Sequence, residues 1–338
     1  MEALARQIGV ESLEAMPRDV SPREYFRGIK GGRRFVVMRY PHIDADSRAE
    51  MLEFIRIGQW LSGQGLKVPE LYDCNEEQCY ALFEDLGSVS FGQRLKSDPQ
   101  EQEELYALAT DVLKVLGKAG VPDALPDYRQ SRIHENRRQL VDYYMTWQRG
   151  EHPGEATVQS YLAVWDEIEK NLPPCPQGFL HADYHLENLK YLSYNSDLKR
   201  CALIDYQDAL YGPLPYDLVN LLEDARVDVP VDIRHEMIER YCEGMAKQDK
   251  EVFLQWYRVL ATQFHGRVIG LFIKLAAEQR RDSYLIHISR LQDYIQIALQ
   301  DPLLAQLKDW FEQEGVDFRV SNGLDGNQIR TVFQNISF

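Results

Sequence analysis

The stretch Phe179–Leu192, FLHADYHLENLKYL, crowds two histidines, an aspartate and an asparagine into one short loop-like segment between apolar residues. Three chemistries compete for it: a metal site, a nucleophile with its base, and a phosphoryl-transfer loop. His181, Asp183 and His185 are all zinc-type ligands, but their i, i+2, i+4 spacing converges only on an extended strand, and the helical HExxH pattern is absent. No GxSxG elbow supports a serine hydrolase.

Phosphoryl transfer accounts for more of the stretch. It requires an Asp to accept the proton of the attacking hydroxyl, an Asn a few residues on to hold magnesium, and a second Asp on a following strand for the same ion. Asp183 and Asn188 stand in an HxDxxxxN pattern counted from His181, and Asp205 ends the apolar run CALI. Magnesium keeps several waters and takes hard oxygen ligands, so one amide, one carboxylate and nucleotide phosphates suffice. His181 reads as a packed residue that holds the loop, because proton acceptance falls to the Asp. Taken singly, Asp183, Asn188 and Asp205 are also ordinary cap and turn residues.

The surrounding chain sets the frame. At 338 residues it is long enough for two lobes, and 44% hydrophobic with 27% charged residues describes a globular protein. A formal net charge of −15 argues against nucleic acid or an anionic membrane as partner, since both demand a basic footprint. Five scattered cysteines without a CxxC pair read as free thiols in a reducing cytosol. The acidic N-terminus has no apolar core and no run of about 18 apolar residues occurs, so a cytoplasmic protein is expected.

In REYFRGIKGGRRFVVMRY, two apolar or β-branched runs flank Gly31 and Gly32, a hairpin signal. DSRAEMLEFIRIGQWLSGQGL places Met51, Leu52, Phe54, Ile55, Ile57 and Leu61 at helical spacing, stopping near Gly63 and Gly65. VPELYDC and QCYALFEDLG predict a second antiparallel pair. Beyond Gly87 the pattern is helical, with QEQEELYALATDVLKVLGKAG, YRQSRIHENRRQLVDYYMTW, ATVQSYLAVWDEIEKNL and most of 232–299, interrupted by strands between Gln177 and Asp205. The expectation is an α+β fold: a nucleotide-binding lobe at 1–87, made of a small antiparallel sheet with one helix, and a larger, mainly helical catalytic and substrate-binding lobe at 88–338. The final RVSNGLDGNQIRTVFQNISF has weak periodicity and no assigned role.

HADYHLENL followed by LIDYQDALYGPLPYDLVNLL resembles the aminoglycoside phosphotransferase and choline kinase superfamily, whose fold is that of protein kinases. Within it the segment Asp205, Tyr206, Gln207, Asp208, Ala209, Gly212, Pro213, Tyr216, Asp217, Leu218, Val219 is most similar to the anomeric kinases of cell-wall sugar recycling, which act on N-acetylmuramate and N-acetylglucosamine. DVSPREYFRG, FEDLG and FHGRVIGLFIKLA resemble further segments of that group, so the likeness runs from about Asp19 to about Leu303. The resemblance implies a two-lobed kinase-like fold, ATP and Mg2+ as cofactors, and a small sugar as substrate. It makes Asp183 the catalytic base, Asn188 and Asp205 the magnesium ligands, and Asp217 a brace beneath the catalytic loop. Main-chain groups of Glu84 to Leu86 would meet the adenine.

Two departures leave alternatives open. The third strand offers no Lys against the phosphates, only Arg39, whose facing the sequence leaves undecided; Glu50 and Glu53 are candidate partners. The nucleotide loop has no GxGxxG, so Ser21, Arg23 and backbone N–H groups would meet the anion, unless this is a plain surface turn. His185, Gln207 and Asp208 are candidates for the sugar hydroxyls or for support behind them. Arg267, with Arg137, is a candidate cation for a carboxylated sugar. An aminoglycoside or choline-type phosphotransferase is the enzymatic alternative, and a nucleotide-binding protein with weak or no catalysis the alternative of another class.

Overall fold

The computed structural model describes residues 2–10, 12–17, 23–319 and 324–336. Its chain divides into two compact units, Met1–Asp123 with His181–Ala209, and Ala124–Leu180 with Leu210–Phe338.

The first unit is built on a five-stranded antiparallel sheet in the order β1-β2-β3-β5-β4: β1 (Glu14–Ala15), β2 (Glu24–Lys30), β3 (Arg33–Arg39), β4 (Leu71–Asn75) and β5 (Tyr80–Glu84). The expected hairpin is present. Lys30 pairs with Arg33, and Gly31 and Gly32, at φ +58° and +76°, form the two-residue turn, a backbone in which both positions favour glycine. One sheet face, with Phe26, Phe35, Val37, Tyr80 and Leu82, is covered by Leu4 and Ile8 of helix α1 (Glu2–Ile8). The other is met by helix α2 (Ala45–Gly63), whose Phe54 sits edge-on to Phe83 at 5.2 Å. Asp44 caps α2 by accepting the Ser47 N–H at 2.8 Å, which satisfies a donor the first turn leaves orphaned. Met51, Phe54, Ile55, Ile57 and Leu61 are buried as the period requires, but Leu52 is 40% exposed and belongs to the outer face.

The two units do not part after Gly87, because packing ties later segments to the first sheet. Helices α3 (Phe91–Ser97) and α4 (Gln102–Lys118) and the ribbon Leu189–Tyr191 with Cys201–Leu203 all belong to the first unit. Ala202 bridges to Lys67, Leu203 N–H donates to Lys67 O, and Leu86, Leu192, Ala202 and Ile204 share one apolar cluster.

The second unit is mainly helical and organised by one long helix, Lys247–Gln279. The expected helix over 128–147 is instead broken into a 3-10 turn, a short α segment, another 3-10 turn and a π-helix at Leu140–Met145. Gly270 of the long helix lies so close to Gln139 O that no Cβ fits, and this backbone approach coincides with the change of helical pitch. Glu155–Lys170 is helical as expected, and Trp165 and Tyr161 on it are fully buried. The C-terminal segment forms a helix, Gly326–Gln334, tied by a bidentate pair from Arg330 to Asp282. All five cysteines are free thiols. Among the described residues no helix is long and apolar enough to cross a membrane.

Candidate active site

The opening stretch becomes a tight loop in the first unit. It starts after strand Gln177–Leu180, runs through a 3-10 turn at Leu186–Asn188 and enters the ribbon strand Leu189–Tyr191. Ala182 and Asp205 both hold left-handed backbone, at φ +70° and +63°, which costs a non-glycine residue about 1–3 kcal/mol. The surrounding bonds maintain that backbone. His181 is fully buried and its Nε2 donates to Ile204 O at 2.9 Å, while Ile204 N–H donates to Asn188 O at 3.1 Å. Ile204 thereby fixes the HxD loop against the residue preceding Asp205. Tyr184, also fully buried, donates its hydroxyl to Ala109 O of α4 at 2.8 Å. Burial holds the His181 imidazole below its ordinary range, outweighing the opposing pull of Asp183 and Asp205, so the ring is neutral.

The three oxygen-bearing residues are set by these ties. Asn188 Nδ2 donates to Asp183 O at 3.0 Å and to Asp183 Oδ2 at 2.9 Å, which turns its Oδ1 away from Asp183. Asp183 keeps 56% of its side-chain surface exposed and Asp205 40%, so both carboxylates face solvent although their neighbours are buried. Arg23, only 9% exposed in its side chain, places Nη2 3.5 Å from Asp205 Oδ1. An amide oxygen and a carboxylate of this kind fit magnesium, which takes hard oxygen ligands and completes its shell with water and phosphate. Among the described residues no group of three or more His, Cys, Asp or Glu could hold a metal ion.

The register settles which way Arg39 points. It pairs with Glu24 and Tyr80, and alternation puts it with Phe35 and Val37 on the α1 face. Tyr25 and Met38 belong to the opposite face, toward α2, where Phe54 stacks on Tyr206 at 4.5 Å. Arg23, not Arg39, reaches the acidic centre. Glu53 is occupied by Arg56, and Glu50 is exposed on α2. Ser21 lies outside the described residues.

At the end of β5, Glu84 pairs with Lys67, and beyond it Leu86 is buried in the cluster with Leu192 and Ile204. Two residues here were missed from the sequence. Arg27 Nε and Nη2 meet both oxygens of Asp85 at 3.0 and 3.2 Å, and Asp85 Oδ1 also accepts from Gly87 N–H at 2.9 Å. A cavity of about 970 Å3 opens there, lined by Arg27, Gly28, Asp85, Gly87 and Ser88 among others. The conjunction of FRG and EDLG was the only available signal, and it carries no distance.

Of the proposed substrate contacts, Gln207 Nε2 donates to Asp208 Oδ2 at 2.9 Å, with Gln207 half-buried and Asp208 exposed, both in the first unit. Arg267 and Asp217 belong to the second unit. There Arg267 Nη2 donates to Tyr216 Oη at 3.2 Å with its guanidinium over the Phe264 ring, and Asp217 is buried in the first turn of Pro215–Leu222. Arg137 is no free cation: it is buried against Glu169, with Asp166 beside it.

A family model described as "Phosphotransferase enzyme family" matches residues 12–252, well over half of the chain. The chain belongs to that family. This phosphotransferase is 28% identical over 312 residues to a protein of Caulobacter vibrioides named N-acetylmuramate/N-acetylglucosamine kinase, covering 88% of this chain and 81% of the relative. A protein of the same name from Pseudomonas aeruginosa is 29% identical over 296 residues, covering 86% and 84%. Among solved structures the phosphotransferase fold is shared with an ADP-bound aminoglycoside phosphotransferase, at TM-score 0.57 and 16% identity over 86% of this chain and 95% of that one. A Plasmodium vivax ethanolamine kinase matches at TM-score 0.55 and 10% identity, over 88% and 85%. The expected kinase-like α+β fold is therefore the fold of this chain.

Proposed function

We propose that this phosphotransferase transfers the γ-phosphoryl group of ATP, in the presence of magnesium, to the anomeric hydroxyl of N-acetylmuramate or N-acetylglucosamine, in the cytoplasm and in the service of cell-wall recycling. The observation that carries the substrate is the length of the likeness. Two kinases named for both sugars align over more than four fifths of this chain and of themselves. The aminoglycoside phosphotransferases share the fold at 16% identity or less, which supports no claim on substrate.

In this reading the exposed Asp183 carboxylate orients the sugar hydroxyl and takes its proton. The sugar oxygen forms a bond to the γ-phosphorus as the bond to the β-bridging oxygen breaks, and ADP leaves. Asn188 Oδ1 and the Asp205 carboxylate would hold magnesium, which would supply neutralisation of the phosphate charge. Arg23 serves the phosphates. Its Nη2 stands 3.5 Å from Asp205 Oδ1, and phosphate oxygens would give the guanidinium stronger, bidentate contacts. Main-chain groups of Glu84 to Leu86 meet the base beside the cavity at Asp85. Catalysis is then positioning and charge neutralisation. His181 keeps the loop in register.

The test is an ATP-coupled assay over N-acetylmuramate, N-acetylglucosamine, plain hexoses, choline and aminoglycosides, with the product read by 31P NMR. Phosphorylation of the two N-acetyl sugars at C1 is expected. Turnover confined to aminoglycosides or choline would overturn the assignment.

A further inference from the structure

His185 sits where a substrate contact was expected, yet its surroundings give it a different task. The residue is 6% exposed, so little of the ring is left to touch a ligand. Its two nitrogens face opposite kinds of group. Nδ1 accepts the backbone N–H of Glu187 at 3.3 Å, and Nε2 lies 3.4 Å from Asp183 Oδ2. A ring nitrogen that accepts a hydrogen bond carries no proton, so in the neutral imidazole the single hydrogen is on Nε2, the nitrogen 3.4 Å from the carboxylate. A proton on Nδ1 as well would set two hydrogens against each other at Glu187. The backbone turn therefore selects one tautomer.

We propose that His185 is a positioning residue: through a neutral Nε2–H it holds the carboxylate of Asp183 in the rotamer that receives the substrate proton. Asn188 Nδ2 and His185 Nε2 converge on the same oxygen, Oδ2, from the two ends of one 3-10 turn. Asn188 supplies the hydrogen bond to that oxygen, and the buried imidazole edge, 3.4 Å away, limits the rotation of an otherwise exposed side chain. Asn188 thus aligns the base while its other amide atom is free to face the metal, and His185 completes the alignment from the buried side.

This inference rests on Asp183 being the base, and its test separates the two claims. In the full-length enzyme, kcat and KM for ATP and for N-acetylglucosamine are measured for His185→Leu and His185→Gln, with melting temperatures. Long-range 15N–1H correlation on the wild-type protein reads the tautomer of His185. His185→Leu should lower kcat about 10- to 100-fold, the scale of a small misplacement of a reacting group, with both KM values within about two-fold. His185→Gln, whose amide can reach the Nε2 position, should restore most of kcat. The NMR spectrum should show an unprotonated Nδ1 and a protonated Nε2. The proposal is overturned if KM for the sugar rises while kcat holds, if Gln is as impaired as Leu, or if the proton is found on Nδ1. The tautomer needs no turnover, so it is decided even if the sugar or the base has been misassigned, and even if the Leu variant does not fold.

Discussion

Gly58 on α2 is where the packing beside Asp205 is most exactly testable. A Cβ built on Gly58 would stand 2.5 Å from Tyr206 Oη and 3.2 and 3.3 Å from two atoms of its ring. Tyr206 follows Asp205 directly, is 1% exposed and is stacked on Phe54, so it has nowhere to retreat without disturbing its neighbour. Overpacking of this kind costs about 1–3 kcal/mol, while alanine in place of glycine in a helix interior returns about 1 kcal/mol. Gly58→Ala should then be destabilised by about 1 kcal/mol net in denaturant unfolding, with a kcat loss out of proportion because the shift is passed to Asp205. Tyr206→Phe removes the 2.5 Å clash and leaves only contacts that a few tenths of an ångström relieve. The double variant should therefore recover to near wild-type stability, a coupling that a cycle of single and double variants reads directly. A Gly58→Ala protein that is more stable than wild type with unchanged kcat would refute the seating of Tyr206 against α2.

Three further outcomes follow from the same structure. Arg23→Met should raise KM for ATP about 10- to 100-fold, the worth of a charge-assisted contact, whereas Arg39→Met, on the far face of the sheet, should move it little; steady-state kinetics with varied ATP decides between them. Tyr144→Phe should cost about 1–3 kcal/mol of stability in denaturant unfolding with KM unchanged, because its hydroxyl donates to Asp317 O and accepts from Gln292 and Gln148. His134, pushed down to about 4 chiefly by burial with Arg137 and Arg129 adding, and His181, held low by burial, both bind fewer protons folded than unfolded. Their contribution is complete above about pH 6.5 and is lost as pH falls toward the folded values, so unfolding free energy should decline from pH 7 to pH 5, less steeply in His134→Gln; a flat profile would contradict this.

The parts of the fold legible in the sequence are those set by local chemistry. The Gly31–Gly32 turn, the period of α2 and the Asp183-to-Asn188 step depend on neighbours in the chain, and each could be read there. Arg39 could not be oriented, because Val36, Val37 and Met38 make its strand apolar on both faces and erase the alternation. The pairing of Arg23 with Asp205 spans 182 positions, and no local pattern announces it. The π-helix at Leu140–Met145 is associated with a glycine on a helix far along the chain, and the C-terminal helix is anchored through Asp282. Leu52 misled because its apolar side chain falls within the helical pattern although its position faces water.

The central claim is that Asp183 takes the proton of a sugar hydroxyl during phosphoryl transfer. The most direct measurement is the initial rate of N-acetylglucosamine phosphorylation by Asp183→Asn beside wild type, with stabilisation by ATP and magnesium as a check on binding. The account predicts a fall of about 100-fold or more with nucleotide stabilisation retained; full activity in Asp183→Asn would contradict it.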